Sequence, residues 1–410
     1  MEETNHLGKT SQQTIPEGWR EFSLGELGEV KMCKRVMKYQ TLATGDIPFY
    51  KIGTFGGTPD AYISRELFTD FRSRFSYPKK GDILLSAAGT IGRTAVFDGE
   101  DSYFQDSNIV WIDNKEDKVL NSFLYYCYKV MKFHTENGGI VVRLYNENLR
   151  NTTFYAPESQ GEQKKIANAL SAVDNMIGAL DEAIAKKRQI KEGLIQQLMT
   201  GKTRLPGFSG EWREAELKEF GYMIRGVSYK PEDSSLKPED GYVRLLRSNN
   251  IQEGKMVYAD YVFVKSANIA DYQYMKDGDI LICMANGSKQ LVGKAARLTR
   301  SGVYTFGAFM GVFRCNDKTV CPFVEELLKT GYYRKLLDDI LTGSAINNLN
   351  GAAVESLKFF VPSDSQEQRA IAAVLCKADD EINGLECQHD KYRLIKQGMM
   401  QELLTGKTRL

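Results

Sequence analysis

Two stretches of the chain carry apolar residues at helical spacing. In the first, Ile166, Leu170, Val173, Ile177, Leu180 and Ile184 alternate by four and three residues, the a/d seam of a helix that packs along one stripe. In the second, Ile371, Leu375, Ala378, Ile382 and Leu385 repeat the pattern. Beyond Ile184 the apolar positions shift to Ile190, Leu194 and Leu198, so the seam is expected to skip there. Both helices should end near Gly201 and Gly406, because glycine takes the left-handed closing conformation and basic residues follow. About 38 helical residues at 1.5 Å each predict rods of roughly 57 Å.

The two stretches are copies. At a constant shift of 205 residues, Gln163, Ile166, Ala167, Leu170, Asp174, Ile177, Leu180, Lys186, Arg188, Ile190, Lys191, Gly193, Gln196 and Leu198 recur as identical residue types from Gln368 to Leu403. Both end in Thr-Gly-Lys-Thr-Arg-Leu, at 200–205 and 405–410. Such self-similarity marks an internal duplication. The segments before the helices share landmarks only: Trp19-Arg20-Glu21 and Trp212-Arg213-Glu214, Leu24 and Leu217, Gly-Asp-Ile-Leu at 81–84 and 278–281, and Pro157 and Pro362 just before each helix. Between these landmarks nearly every polar and charged residue differs, so the frame repeats and the surface does not.

Short apolar runs bounded by turn residues predict strands at 81–86, 95–97, 278–283 and 303–306, and helical spacing predicts helices over 121–133 and 321–341. The expected fold class is α+β: two mixed, strand-rich globular domains separated by two long helices that pair as an antiparallel coiled coil, a pseudo-two-fold internal repeat. The expected boundaries are a tail at 1–18, a first globular domain at 19–159, the central helix at 160–204, a second globular domain at 205–362 and the C-terminal helix at 363–410. Ile166, Leu170, Ile177, Leu180, Ile371, Leu375, Ile382 and Leu385 would form the helix frame and dock partners. A heptad run also serves oligomerisation between chains. Two copies on one chain, each attached to a matching globular segment, favour pairing within it.

Composition narrows the function. Hydrophobic residues at 42% and charged residues at 26% describe an ordinary folded, water-soluble protein. No run approaches the 18 or more apolar residues of a membrane span and the first ten residues are polar, so a cytoplasmic location is expected. The seven cysteines (Cys33, Cys127, Cys283, Cys315, Cys321, Cys376, Cys387) are scattered and never spaced C-x-x-C, which disfavours a disulfide framework and a zinc site. His6, His134 and His389 lie far apart and offer little to a metal site or catalytic triad; His389 occupies the seam position of Ile184, where a polar residue sets register. A net charge of +1 decides nothing, since acidic helices can balance a basic face.

Catalytic motifs fail when tested. Gly201-Lys202-Thr203 and Gly406-Lys407-Thr408 resemble the end of a phosphate-binding loop, but Gln196 and Gln401 stand where that loop needs glycine, and the motif closes a helix instead of opening one. No G-x-G-x-x-G for a methyltransferase cofactor and no clear carboxylate cluster for metal-dependent phosphodiester cleavage is visible. No catalytic residue, metal or cofactor is assigned to this chain. What remains is nucleic-acid recognition, which needs Lys and Arg for phosphates and Arg, Asn, Gln and Ser for base edges. Candidates in the first half are Lys34, Arg35, Lys51, Thr54 and Arg93; those in the second are Arg225, Lys230, Arg244, Arg247, Ser248, Asn249 and Lys289. Each alone could be a solvated loop residue. As a set they lie in Gly-, Ser- and Asn-rich segments beside predicted strands, where loops can reach a duplex.

The duplicated helix ending in Leu-x-Thr-Gly-x-x-Arg, the Gly-Asp-Ile-Leu strand and the Trp-x-x-x-x-Leu opening resemble the specificity subunit of type I restriction-modification enzymes, over both halves of the chain. The resemblance implies two target-recognition domains on paired helices, each reading one part of a split, asymmetric double-stranded DNA target. It implies two DNA methyltransferase (modification) subunits docked on the helices, adenine methylation, and restriction/translocase subunits joined through the modification complex. S-adenosylmethionine, ATP and magnesium are then expected only in those partners. The gap between half-sites would be set by the helices. A type II enzyme fusing specificity to catalysis would demand motifs that are not found, and a scaffold without DNA would bind no duplex; salt-dependent duplex binding separates the latter.

Overall fold

The computed structural model describes residues 15–133, 143–342 and 347–410. Most of the expected tail at 1–18, together with His6 and His134, lies outside the described residues. The chain forms two compact units: Met1–Asp181 with Gln388–Leu410, and Glu182–Cys387. The division falls within the long helices, Gln160–Leu198 and Ser365–Leu403, 39 residues each, and not at their ends. The expected separation of helix from globular domain differs from this because the first turns of each helix bury into a globular core. Ile166, Ala167 and Leu170 pack with Trp19, Phe123 and Leu404 in one unit, and Ile371, Ala372 and Leu375 with Leu217, Phe323 and Val361 in the other.

In the first unit Trp19–Ser23 pairs antiparallel with Thr153–Pro157, so the two ends of the globular part meet at the root of the helix. Above this root stands an antiparallel sheet in the order Val30–Lys31, Ile109–Ile112, Ile83–Ser86, Thr94–Val96. Beside it, Ile47–Tyr50 pairs antiparallel with Tyr62–Ile63 and parallel with Tyr103–Phe104. In the second unit the root is Trp212–Glu216 on Lys358–Pro362. Its sheet runs Gly221–Arg225, Met310–Cys315, Ile280–Cys283, Ala295–Arg297, and Tyr242–Leu246 pairs antiparallel with Val262–Lys265 and parallel with Tyr304–Phe306. The order of these strands is the same in both, and the second unit adds Ser234–Ser235 at the edge of its smaller sheet and the pair Ile251–Gln252 with Lys255–Met256.

The repeated residues do mechanical work. In each Gly-Asp-Ile-Leu motif the glycine is left-handed (φ +94 at Gly81, +87 at Gly278) and the aspartate accepts from the backbone N–H three residues earlier, at Lys79 and Lys276, both at 2.7 Å. That turn sends the next four residues into the buried centre of the sheet. The buried Gln163 amide accepts from Leu120 N and donates to Lys118 O and Pro157 O, each at 2.8 Å, while Gln368 donates to Pro362 O at 2.8 Å. Both glutamines tie a helix start to the root strand.

At the other helix ends Gly201 and Gly406 have φ of +69 and +68, and an added Cβ would press on the Trp212 ring at 3.2 Å or on Pro16 at 2.6 Å. Arg204 then forks onto Glu367, and Arg409 onto Glu162, so each closing motif grips a first-turn glutamate of the other long helix. Within the first unit Lys396 also pairs with Asp174; within the second Lys191 pairs with Asp379 at 2.6 Å. These pairs occupy matching positions of the two sequence copies.

The expected strands form, three of them shortened by one or two residues and the one expected at 95–97 shifted to Thr94–Val96. The helix expected over 121–133 spans Asn121–Val130, and that over 321–341 is two, Cys321–Leu327 and Gly331–Thr342. Thr330 causes the break: its hydroxyl accepts from Tyr333 N at 3.2 Å and starts a new helix. The helix Arg65–Arg74, capped by Ser64 on Leu67 N, was not anticipated. Ile190, placed on the shifted seam, is exposed. Among the described residues no disulfide forms, and no helix is long and apolar enough to cross a membrane.

Candidate nucleic-acid interface

In each unit three loops and one returning segment converge at the same end of the sheet. In the first unit these are the turn after Ile47–Tyr50, the loop after Ile83–Ser86, the loop before Ile109–Ile112, and Arg143-Leu144. The turn is closed by Lys51 N donating to Thr54 Oγ1 at 3.1 Å, Ala87 N donates to Asn108 O at 2.8 Å, and Leu144 N to Ala87 O at 2.8 Å. The second unit repeats each bond: Arg247 N to Asn250 Oδ1 at 2.9 Å, Met284 N to Phe309 O at 2.9 Å, and Leu349 N to Met284 O at 2.8 Å. The scaffold bonds coincide while the side chains they present differ.

Of the first-half candidates, Thr54 is a turn former, and Arg93 donates to Ile52 O while lying 5.7 Å over the Phe55 ring. Lys51 pairs with Asp60 at 2.8 Å, and Arg35 with Asp106 at 2.8 Å, next to the converging loops. Lys34 lies off this cluster, its ammonium 4.9 Å over Phe75. In the second half Arg247 and Ser248 line a cleft of about 1000 Å³ with Tyr229, Asn286, Phe309 and Asn347. Arg247 donates to Asp260 O at 3.2 Å, and its buried Nε has no partner among the described residues. Asn249 is exposed beside them.

The remaining candidates point elsewhere. Arg244 alternates with the buried Val243 and Leu245, so it faces outward, 5.8 Å over Tyr261. Arg225 is exposed on an edge strand, Lys230 lies 3.9 Å from Glu232, and Lys289 turns to Thr342 (3.2 Å) and Asp338 (3.9 Å). Among the described residues no cluster of three or more His, Cys, Asp or Glu is arranged to hold a metal.

Residues 16–192 match the family model of the type I restriction modification DNA specificity domain. Over 163 residues the chain is 55% identical to a Haemophilus influenzae protein named as a type I restriction enzyme specificity subunit, an alignment covering 40% of this chain and 42% of that one. The EcoKI specificity subunit of Escherichia coli is 31% identical over 48% of this chain and 42% of its own. These alignments thus take in less than half the length of either relative. The MjaVIII specificity subunit of Methanocaldococcus jannaschii is 24% identical over 97% of this chain and 94% of its own. The chain is thus similar to type I specificity subunits, through its first half by the family model and over nearly its whole length at 24% identity. The solved S subunit from M. genitalium shares the fold, with a TM-score of 0.64 at 15% identity over 96% of this chain and 98% of that one.

The side chains that sequence reasoning missed are those the returning segment carries. Arg143 donates to Ser107 Oγ at 2.8 Å and to Asn108 Oδ1 at 3.3 Å, and Asn347 donates to Gly287 O at 3.2 Å. A signal existed, because the 205-residue shift extends upstream of the helices through Leu144 and Leu349, and Phe154 and Phe359.

Proposed function

We propose that this chain is the DNA-reading subunit of a type I restriction-modification system, in which each unit reads one half of a bipartite, asymmetric target in double-stranded DNA. One observation carries the reading: the same loop cluster is built twice on matching strands and presents Lys51, Asn108 and Arg143 in one unit but Arg247, Phe309 and Asn348 at the corresponding positions of the other. Two different base-reading surfaces on one frame suit two different half-sites, whereas identical surfaces would suit a palindrome. Candidate phosphate contacts are the exposed Arg225, Lys230 and Arg244.

On this reading 19–159 and 205–362 are the recognition domains. The helices at 160–204 and 363–410 form an antiparallel coiled-coil frame with a pseudo-two-fold repeat. Support comes from the ion pairs within each unit, where residue numbers rise on one helix as they fall on the other: Glu162 to Arg409 and Asp174 to Lys396, then Lys191 to Asp379 and Arg204 to Glu367. Two methyltransferase subunits dock on this frame, restriction subunits join through them, and S-adenosylmethionine, ATP and magnesium act in those partners, all in the cytoplasm. This chain directs adenine methylation without performing it.

The test is a long-read map of methylated adenines in the native host with this gene intact and deleted. Loss of one split, asymmetric motif is the expected result. An unchanged map while the protein and its methyltransferase are both expressed would overturn the proposal.

A further inference from the structure

The cleft of the second unit has a chemistry that its counterpart lacks. At the position where the first unit has Asn108, hydrogen-bonded to Arg143, the second has Phe309, 73% exposed. The backbone is the same in both, since the carbonyl of each accepts from the residue that follows the Ile83–Ser86 or the Ile280–Cys283 strand. Phe309 O accepts from Ala285 N as well, at 3.1 Å, which fixes the backbone that carries the ring at the cleft mouth. Apolar walls lie behind it, from Val227, Leu245 and Met310. Asn347 lines the same cleft, and among the described residues its side chain engages one amide hydrogen, on Gly287 O, with its oxygen and second N–H directed to no other described group.

A concave site offering an apolar ring and an amide matches the major-groove edge of one base pair only. Thymine alone presents a methyl group there, and its partner adenine presents the N6 donor and N7 acceptor that an Asn amide reads in bidentate fashion; guanine asks for Arg and cytosine for a carboxylate. We infer that this cleft reads an A·T pair in one half-site, with Phe309 against the thymine C5-methyl and Asn347 on the adenine. The inference rests on the DNA-reading function proposed above. Arg247, on the wall of the same cleft, supplies positive charge beside the pair.

The experiment uses the full chain in the assembly isolated from its host, and duplexes carrying the mapped target with each thymine replaced singly by uracil, which lacks only the methyl. Wild type is expected to lose about fourfold in affinity, the worth of one buried methyl, at one position of one half-site. Phe309→Ala should lose affinity for the all-thymine duplex and be insensitive to uracil at that position. Phe309→Leu, which keeps an apolar contact, should stay sensitive. The inference is overturned if Phe309→Ala binds as tightly as wild type, or if it remains as sensitive to that uracil. Wild type that fails to distinguish its mapped target from unrelated DNA would instead sink the DNA-reading function itself.

Discussion

Replacing Arg204 by alanine should destabilise the second unit far more than loss of a surface ion pair would. Arg204 reaches Glu367 through two nitrogens, the NH2 contact at 2.6 Å, and Glu367 is only 1% exposed, with no other hydrogen-bond partner among the described residues. Truncating the arginine leaves a buried carboxylate alone. Breaking a fully buried pair in this way costs about 3–5 kcal/mol. Because the Arg204 side chain is 27% exposed, water attenuates the loss to about 2–4 kcal/mol, including the contact it makes 5.8 Å over Trp212. At about 2–4 °C per kcal/mol for a unit of this size, the Tm should fall by roughly 5–15 °C.

Differential scanning calorimetry of the full chain reads this directly, with Arg213→Ala, which removes the exposed pair to Glu219, as the control expected to leave Tm unchanged. The decisive comparison is the double variant Arg204→Ala with Glu367→Gln. A neutral amide needs no counter-charge, so the double variant should recover part of the loss. A shift below about 2 °C for the single variant, or a double variant less stable than the single, would refute the reasoning.

Two glycines of the same helix should respond with opposite signs. Gly201→Ala forces a Cβ onto the Trp212 ring at a left-handed residue and should cost about 1–2 kcal/mol, whereas Gly193→Ala, with nothing within 4 Å, should gain about 0.5–1 kcal/mol; urea unfolding measures both. Burial alone would raise the Glu325 carboxyl, but Lys329 at 2.9 Å and Arg297 at 2.8 Å outweigh it and hold it below its ordinary 4.5. A depressed carboxylate stabilises the fold above that ordinary value and the contribution is lost as pH falls through the folded one. Glu325→Gln should therefore be less stable than wild type at pH 7 and converge toward it below about pH 4.5, and parallel stability curves would contradict this. Arg93→Ala and Arg247→Ala should each relax one half of the methylated motif and spare the other; equal loss in both halves would make these residues structural.

The frame was legible in the sequence because its residues serve geometry that the duplication repeats. Gln163 and Gln368, Gly201 and Gly406, and Arg204 and Arg409 recur since each holds a helix end to a root strand, a tryptophan or the first turn of the other long helix. The seam was only half legible. Heptad spacing marks Ile166 and Leu170 as buried without saying that a globular core covers them. The candidate interface was the least legible, because a loop side chain owes its direction to contacts distant in sequence. Arg244 and Arg247, three residues apart, end on different faces, and Arg143 reaches Ser107 from 36 residues away. Clustering of Lys and Arg identified the loops but not which of their side chains point into the cleft.

Where variation can occur follows from the root strands. Each globular part enters and leaves through one antiparallel pair, Trp19 opposite Pro157 and Trp212 opposite Pro362, so its ends are adjacent whatever lies between them. The tryptophan of each pair is also the surface that receives the closing glycine, Gly406 on Trp19 and Gly201 on Trp212. Fixing the ends fixes the orientation of the sheet above them, and the loops farthest from the root bear none of that burden. Side chains such as Asn108 and Phe309 can therefore differ completely while the backbone bonds beneath them stay the same. On the proposed function, a change of target would require no change in the helices.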